Sequence, residues 1–76
     1  MAKLIIQHVR SSASAQTLAN TVQQYTGLPL PDAQRLVDRA RAGERVELEM
    51  DDEYAAYDFA SMLADLGAVA EVDEMQ

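Results

Sequence analysis

The segment Thr26-Gly27-Leu28-Pro29-Leu30-Pro31-Asp32-Ala33-Gln34-Arg35-Leu36-Val37 decides the fold, because it ends one helix and begins another within a few residues. Glycine enters the left-handed backbone region without a Cβ clash, so Gly27 is placed where the first helix stops. Proline lacks the N–H that a helix interior requires, which keeps Pro29 outside the helix. Pro31 suits a first helical turn, where that N–H would have no partner anyway. Ala33, Leu36, Val37 and Ala40 then recur at helical spacing, and Gly43 closes the second helix.

Upstream of this segment, Leu18, Val22 and Tyr25 fall at i, i+4, i+7 and define the buried face of the first helix. Ser11, Ser12 and Ser14 offer oxygens for its N-cap. Lys3 to Val9 is apolar and β-branched, and its Leu4-Ile5-Ile6 run predicts a strand buried on more than one side. Downstream, Arg45 to Met50 alternates, with Val46, Leu48 and Met50 on one face and Glu47 and Glu49 on the other. Asp51 or Asp52 caps a third helix whose apolar positions are Ala55, Phe59, Met62, Leu63 and Leu66, with Gly67 at its end. In the last strand, Ala68 to Val72, Ala70 and Val72 point inward and Glu71 and Asp73 outward. The expected fold class is α+β in the order β-α-α-β-α-β: a small antiparallel three-stranded sheet with three helices on one face. A chain of 76 residues forms one domain, residues 1–76.

Charge is divided unevenly along the chain. Residues 1–45 hold six bases against three acids, whereas residues 46–76 hold ten acids and no base, giving the net −7. An acidic balance argues against direct nucleic-acid binding, which draws on a basic footprint. It suits a basic protein partner or mimicry of nucleic acid. On the expected sheet, Glu47, Glu49, Glu71 and Asp73 share the open face. Arg35 and Arg39, with Asp32 and Asp38 three positions either side of Arg35, read as a charge-laced solvent face. No cysteine is present, and no apolar run reaches the length of a membrane span. A soluble, cytoplasmic protein is expected, with no membrane contact.

Catalysis requires convergent polar groups in a concave site. The one histidine, His8, lies near the end of the first strand and reads as an edge or surface residue. Asp51-Asp52-Glu53 lacks the spaced ligands and turn glycine of a calcium loop, and helix capping accounts for it. No phosphate-binding glycine motif occurs. No enzyme, cofactor or metal is expected. Tyr54 and Tyr57, three apart, either flank the core or form an exposed aromatic pair.

The Thr26–Val37 segment resembles the TGLGLKEAKxLV signature of the C-terminal domain of the bacterial large-subunit ribosomal stalk protein. Leu63-Ala64-Asp65-Leu66-Gly67-Ala68-Val69-Ala70-Glu71-Val72 is similar to that family's LEEAGAEVEV-like ending. The resemblance runs from about residue 18 to residue 72 and implies the same element order. It also implies a partner surface on the first two helices, where the family recruits translational GTPases through basic and aliphatic side chains. The family's basic positions fall on Ala15, Asn20, Gln23, Pro31 and Gln34, and its aliphatic contacts on Gln16 and Ala19. None of these residues is basic, so the resemblance carries the scaffold and not the family's contact chemistry. The family also has a dimerisation region and hinge ahead of this domain, whereas this sequence opens on the first strand, so ribosome attachment of the family's kind is not expected.

The expected function is that of a small noncatalytic protein-interaction module whose partner is a protein. The candidate contact residues are Gln16, Asn20, Gln23 and Gln34 on the helices and Glu47, Glu49 and Glu71 on the open sheet. Two alternatives stand beside it: an acidic, nucleic-acid-mimicking inhibitor of a basic protein, and recruitment of a translational GTPase. No feature of the sequence points to an oligomeric state.

Overall fold

The computed structural model describes residues 2–74, so Met1, Met75 and Gln76 of the expected 1–76 domain lie outside the described residues. Strand β1 (Ala2–Val9) is the centre of the sheet, flanked by β2 (Val46–Met50) and β3 (Ala68–Glu74), both antiparallel to it. Helices α1 (Ala15–Thr26), α2 (Leu30–Arg41) and α3 (Glu53–Asp65) complete the order β-α-α-β-α-β. Only the middle strand has neighbours on both sides, which explains why the most apolar segment occupies it. Leu4 and Ile6 join Leu18, Val22, Val37, Phe59 and Leu63 in the core under the helices. Ile5 faces the other way, in register with Glu47 and Glu71, and is still only 2 % exposed.

A period of two would turn Val9 towards the same open face as Ile5. Instead, the β1–β3 register shifts between Ile6 and His8, so that Ile6 pairs with Ala70, His8 with Val69 and Val9 with Ala68. One extra residue in β1 reverses the parity, returning Val9 to the core and leaving His8 exposed. His8 is thus a surface residue as expected, though on the central strand and not on an edge.

Each helix begins and ends by local chemistry. Ser14, among the three candidate serines, caps α1 and accepts from Thr17 N at 3.3 Å, while Gly27 ends it at φ 74°. Pro29 is the N-cap of α2, and Pro31 lies in its first turn. Asp52, not Asp51, caps α3, accepting from Tyr54 N at 2.9 Å. Thr21, a buried polar residue, donates its hydroxyl to the Thr17 carbonyl at 2.9 Å. Tyr25 lies against Phe59 with ring centroids 4.8 Å apart and planes within 5°, joining the end of α1 to the middle of α3.

Some expectations need correction. The buried stripe of α3 is Ala56, Phe59 and Leu63, whereas Met62 is 42 % exposed and Ala55 only partly buried. The axis of burial is therefore rotated by part of a turn from the expected Ala55–Met62 line, with Ala56 rather than Ala55 fully buried beside Phe59 and Leu63. Strand β1 starts at Ala2, β2 at Val46 rather than Arg45, and β3 continues to Glu74. Tyr54 and Tyr57 are both exposed, at 84 % and 49 %.

Candidate functional site

Residues Gln16, Ala19, Asn20 and Gln23 fall at i, i+3, i+4, i+7 along α1, and Leu30, Gln34, Val37 and Asp38 at i, i+4, i+7, i+8 along α2. Each set is one helical stripe. Ala19, Ala33 and Ala40, all under 3 % exposed, keep side-chain bulk low between the elements and let the two helices close on one another. Beside this contact a groove of about 300 Å³ opens to solvent. Its apolar lining is Ala15, Ala19, Leu30 and Val37; its polar lining is Gln16, Asn20, Gln34 and Asp38.

The structure therefore brings Gln16, Asn20 and Gln34 together and leaves Gln23 out. Gln23 is exposed one turn beyond Ala19, towards the end of α1, and its carbonyl accepts the Gly27 N–H at 2.9 Å. Of the positions onto which the family resemblance maps a partner surface, Ala15, Gln16, Ala19, Asn20 and Gln34 line the groove, whereas Gln23 and Pro31 do not. Sequence reasoning passed over Leu30 and Asp38 and treated Val37 as core alone. The signal was present in their spacing with Gln34, but Asp38 was read as part of a solvated charge pattern.

The groove's polar groups are uncommitted. Among the described residues, the Gln16, Asn20 and Gln34 side chains take part in no hydrogen bond. A carboxamide presents an NH2 donor and a carbonyl acceptor, the two kinds of group that pair with a peptide's C=O and N–H. A neutral carboxamide is neither a nucleophile nor a general base near neutral pH.

The open sheet face lies on the other side of the sheet from the groove, so Glu47, Glu49 and Glu71 cannot share one site with the helix amides. That face is less acidic than the sequence reading implied. Lys3 projects into it in register with Glu49 and Asp73, and its Nζ is 3.2 Å from Glu47 Oε1. Arg45 Nε lies 3.3 Å from Glu47 Oε2, so both carboxylate oxygens of Glu47 are occupied. Glu49, Glu71 and Asp73 form no ion pair among the described residues. On α2, Arg35 pairs with Asp32 at 3.9 Å and Arg39 with Glu44 at 3.7 Å, while Asp38 pairs with neither arginine.

A second depression, also about 300 Å³, is bounded by Tyr25, Glu49, Asp51 and Asp52 near the β2–α3 turn. Asp52 is committed there as the α3 cap, and no group of three His, Cys, Asp or Glu side chains among the described residues is arranged to hold a metal ion. No described helix is long and apolar enough to cross a membrane. No protein-family model matches the chain, and no curated protein matches it.

Proposed function

We propose that this chain is a small noncatalytic protein-interaction module that receives a segment of a partner protein in the α1/α2 groove. One observation carries the reading: Gln16, Asn20 and Gln34 line one groove with small and aliphatic side chains and have no side-chain hydrogen bond among the described residues. Apolar floors with a few oriented polar groups are the usual form of a recognition site, the apolar part for affinity and the polar part for register. The scaffold resembles the ribosomal stalk C-terminal domain, and the groove occupies the helices that family uses. The amides in place of its basic residues favour a different partner.

The test is capture from host lysate by the wild type, a groove variant (Gln16→Glu with Gln34→Glu) and a sheet variant (Glu47→Lys with Glu49→Lys). All substituted positions are exposed, and each variant is first checked by circular dichroism. Capture by the wild type and the sheet variant, lost in the groove variant, is the expected result. Capture that survives in the groove variant and disappears in the sheet variant refutes the reading.

That second pattern would favour the nucleic-acid mimic, whose supporting observation is that Glu49, Glu71 and Asp73 on the open face form no ion pair among the described residues. Its signature is competition with DNA or RNA and steep weakening by salt. Lys3 and Arg45, intruding on that face, count against it. Recovery of a translational GTPase through the groove would identify the partner with that of the resembling family.

A further inference from the structure

The position and isolation of Asp38 define what the groove selects. Asp38 is the one charged side chain among the described residues that line it. It lies in the last turn of α2, at the negative end of the helix dipole, where a carboxylate is disfavoured and the neighbouring Arg39 and Arg41 are the favoured types. No ion pair among the described residues compensates for this placement. Arg35 turns to Asp32 and Arg39 to Glu44, and Arg41, three positions on, forms no ion pair among the described residues. A carboxylate at the disfavoured end of a helix, with no ion pair among the described residues and bordering an otherwise neutral groove, is complementary to a cation supplied from outside.

At the other end of the groove Leu30 is 38 % exposed, the most exposed large apolar side chain on either helix of the groove. Eight residues of α-helix separate it from Asp38, a distance of about 12 Å. An extended chain covers that distance in three or four residues. We propose, resting on the groove reading above, that the occupant is an extended segment of a partner protein carrying an apolar side chain and a Lys or Arg two to four positions apart. The apolar side chain seats against Leu30 and the cation meets Asp38, while Gln16, Asn20 and Gln34 bond the intervening peptide groups.

The probe is a random twelve-residue peptide library displayed on phage and panned against the folded protein. Enriched sequences are then synthesised, titrated into the wild type and the Asp38→Asn and Leu30→Ser variants, and mapped by amide chemical shifts. Enriched peptides should share the apolar–basic spacing and shift the amides of residues 15–20 and 30–38. Asp38→Asn should bind about tenfold more weakly and lose most of the salt dependence, as expected for loss of one partly desolvated charge pair. Two controls show that such a loss is not unfolding: an unchanged circular dichroism spectrum, and binding of a Lys→Gln peptide that is equal for wild type and variant. Peptides that shift the groove amides yet bind Asp38→Asn as tightly as the wild type overturn this inference and leave the groove reading standing. Peptides that leave those amides unmoved and ignore Leu30→Ser overturn both. A library that yields no enriched sequence overturns the extended-peptide occupant.

Discussion

Gly67→Ala isolates a tertiary contact from a backbone effect, because Gly27 supplies an internal control. Both glycines follow helices at positive φ, Gly27 at 74° and Gly67 at 97°. A Cβ added at Gly27 meets nothing within 4 Å, whereas one at Gly67 falls 3.2 Å from Ala13 Cβ. Gly27→Ala should therefore cost only the left-handed penalty, about 1–2 kcal/mol. Gly67 lies further outside the narrow left-handed well and adds a contact its neighbour must yield to, so about 3 kcal/mol is expected. A domain of this size is held by about 4–11 kcal/mol, and each kcal/mol lowers Tm by about 4–8 °C. Gly67→Ala should thus melt at least 10 °C below the wild type, and Gly27→Ala about half as far below. The chain has no tryptophan, so urea and thermal unfolding are followed by far-ultraviolet circular dichroism. Adding Ala13→Gly to Gly67→Ala removes the contact while keeping the φ penalty, and the cycle should return about 1 kcal/mol of coupling. Equal costs for the two single variants, or a coupling of zero, would refute the steric account. The consequence reaches the groove, because the Gly67 carbonyl accepts from Arg10 N at 2.8 Å and thereby holds the turn that leads into Ser14 and α1.

Asp52→Ala should cost about 1 kcal/mol in urea unfolding, and Ser14→Ala less, because the Asp52 cap bond is 2.9 Å against 3.3 Å for Ser14. Phe59→Ala should lower stability by about 3–5 kcal/mol, and Phe59→Leu by about 1–2 kcal/mol. Both should erase the near-ultraviolet dichroism of Tyr25, whose ring is stacked on Phe59. Glu47→Gln should change stability by less than about 1 kcal/mol despite losing two ion pairs, since Lys3 and Arg45 reach it at the surface; a loss above 2 kcal/mol would contradict that assignment. Asp38→Asn should stabilise the fold by about 0.3–1 kcal/mol and Asp32→Asn destabilise it by a similar amount, because the two acids sit at opposite ends of the same helix dipole. Thermal melts at low salt measure both signs.

Elements whose limits follow from backbone chemistry were legible in the sequence. Gly27, Pro31, Gly67 and the alternation Val46 to Met50 each state a conformation that no neighbour has to supply. What escaped was relational. The β1 bulge belongs to a pair of strands, and nothing in Ile6-Gln7-His8-Val9 alone reveals that Val9 changes face. On α3, alanine at both 55 and 56 gives no hydrophobic contrast, so Met62 drew the expected stripe towards itself. The acidity of the open face was overstated because Lys3, 44 positions before its partner Glu47, enters it only once the register is known. Gln16, Asn20 and Gln34 could be grouped by the family resemblance. That Gln23 drops out of the groove and Asp38 enters depends on how α2 lies against α1, which helical spacing within one element does not encode.

The two acids of α2 show why a groove reading has more content than a cavity and its lining. Asp32 lies where helix physics favours an acid and is paired with Arg35; Asp38 lies where an acid is disfavoured and is paired with nothing in the described chain. Helix electrostatics would be served better by a neutral residue of good helix propensity at position 38, and a sequence consistent at every level would place one there. Departures of this kind concentrate where a residue answers to something outside the fold. The open sheet face shows no comparable departure. Glu47, on the edge strand β2, is held by two cations of the chain itself, and Glu49, Glu71 and Asp73 occupy exposed strand positions where charge promotes solubility and discourages edge pairing. Both surfaces are charged or polar, but only the groove holds a charge that the fold itself has reason to exclude.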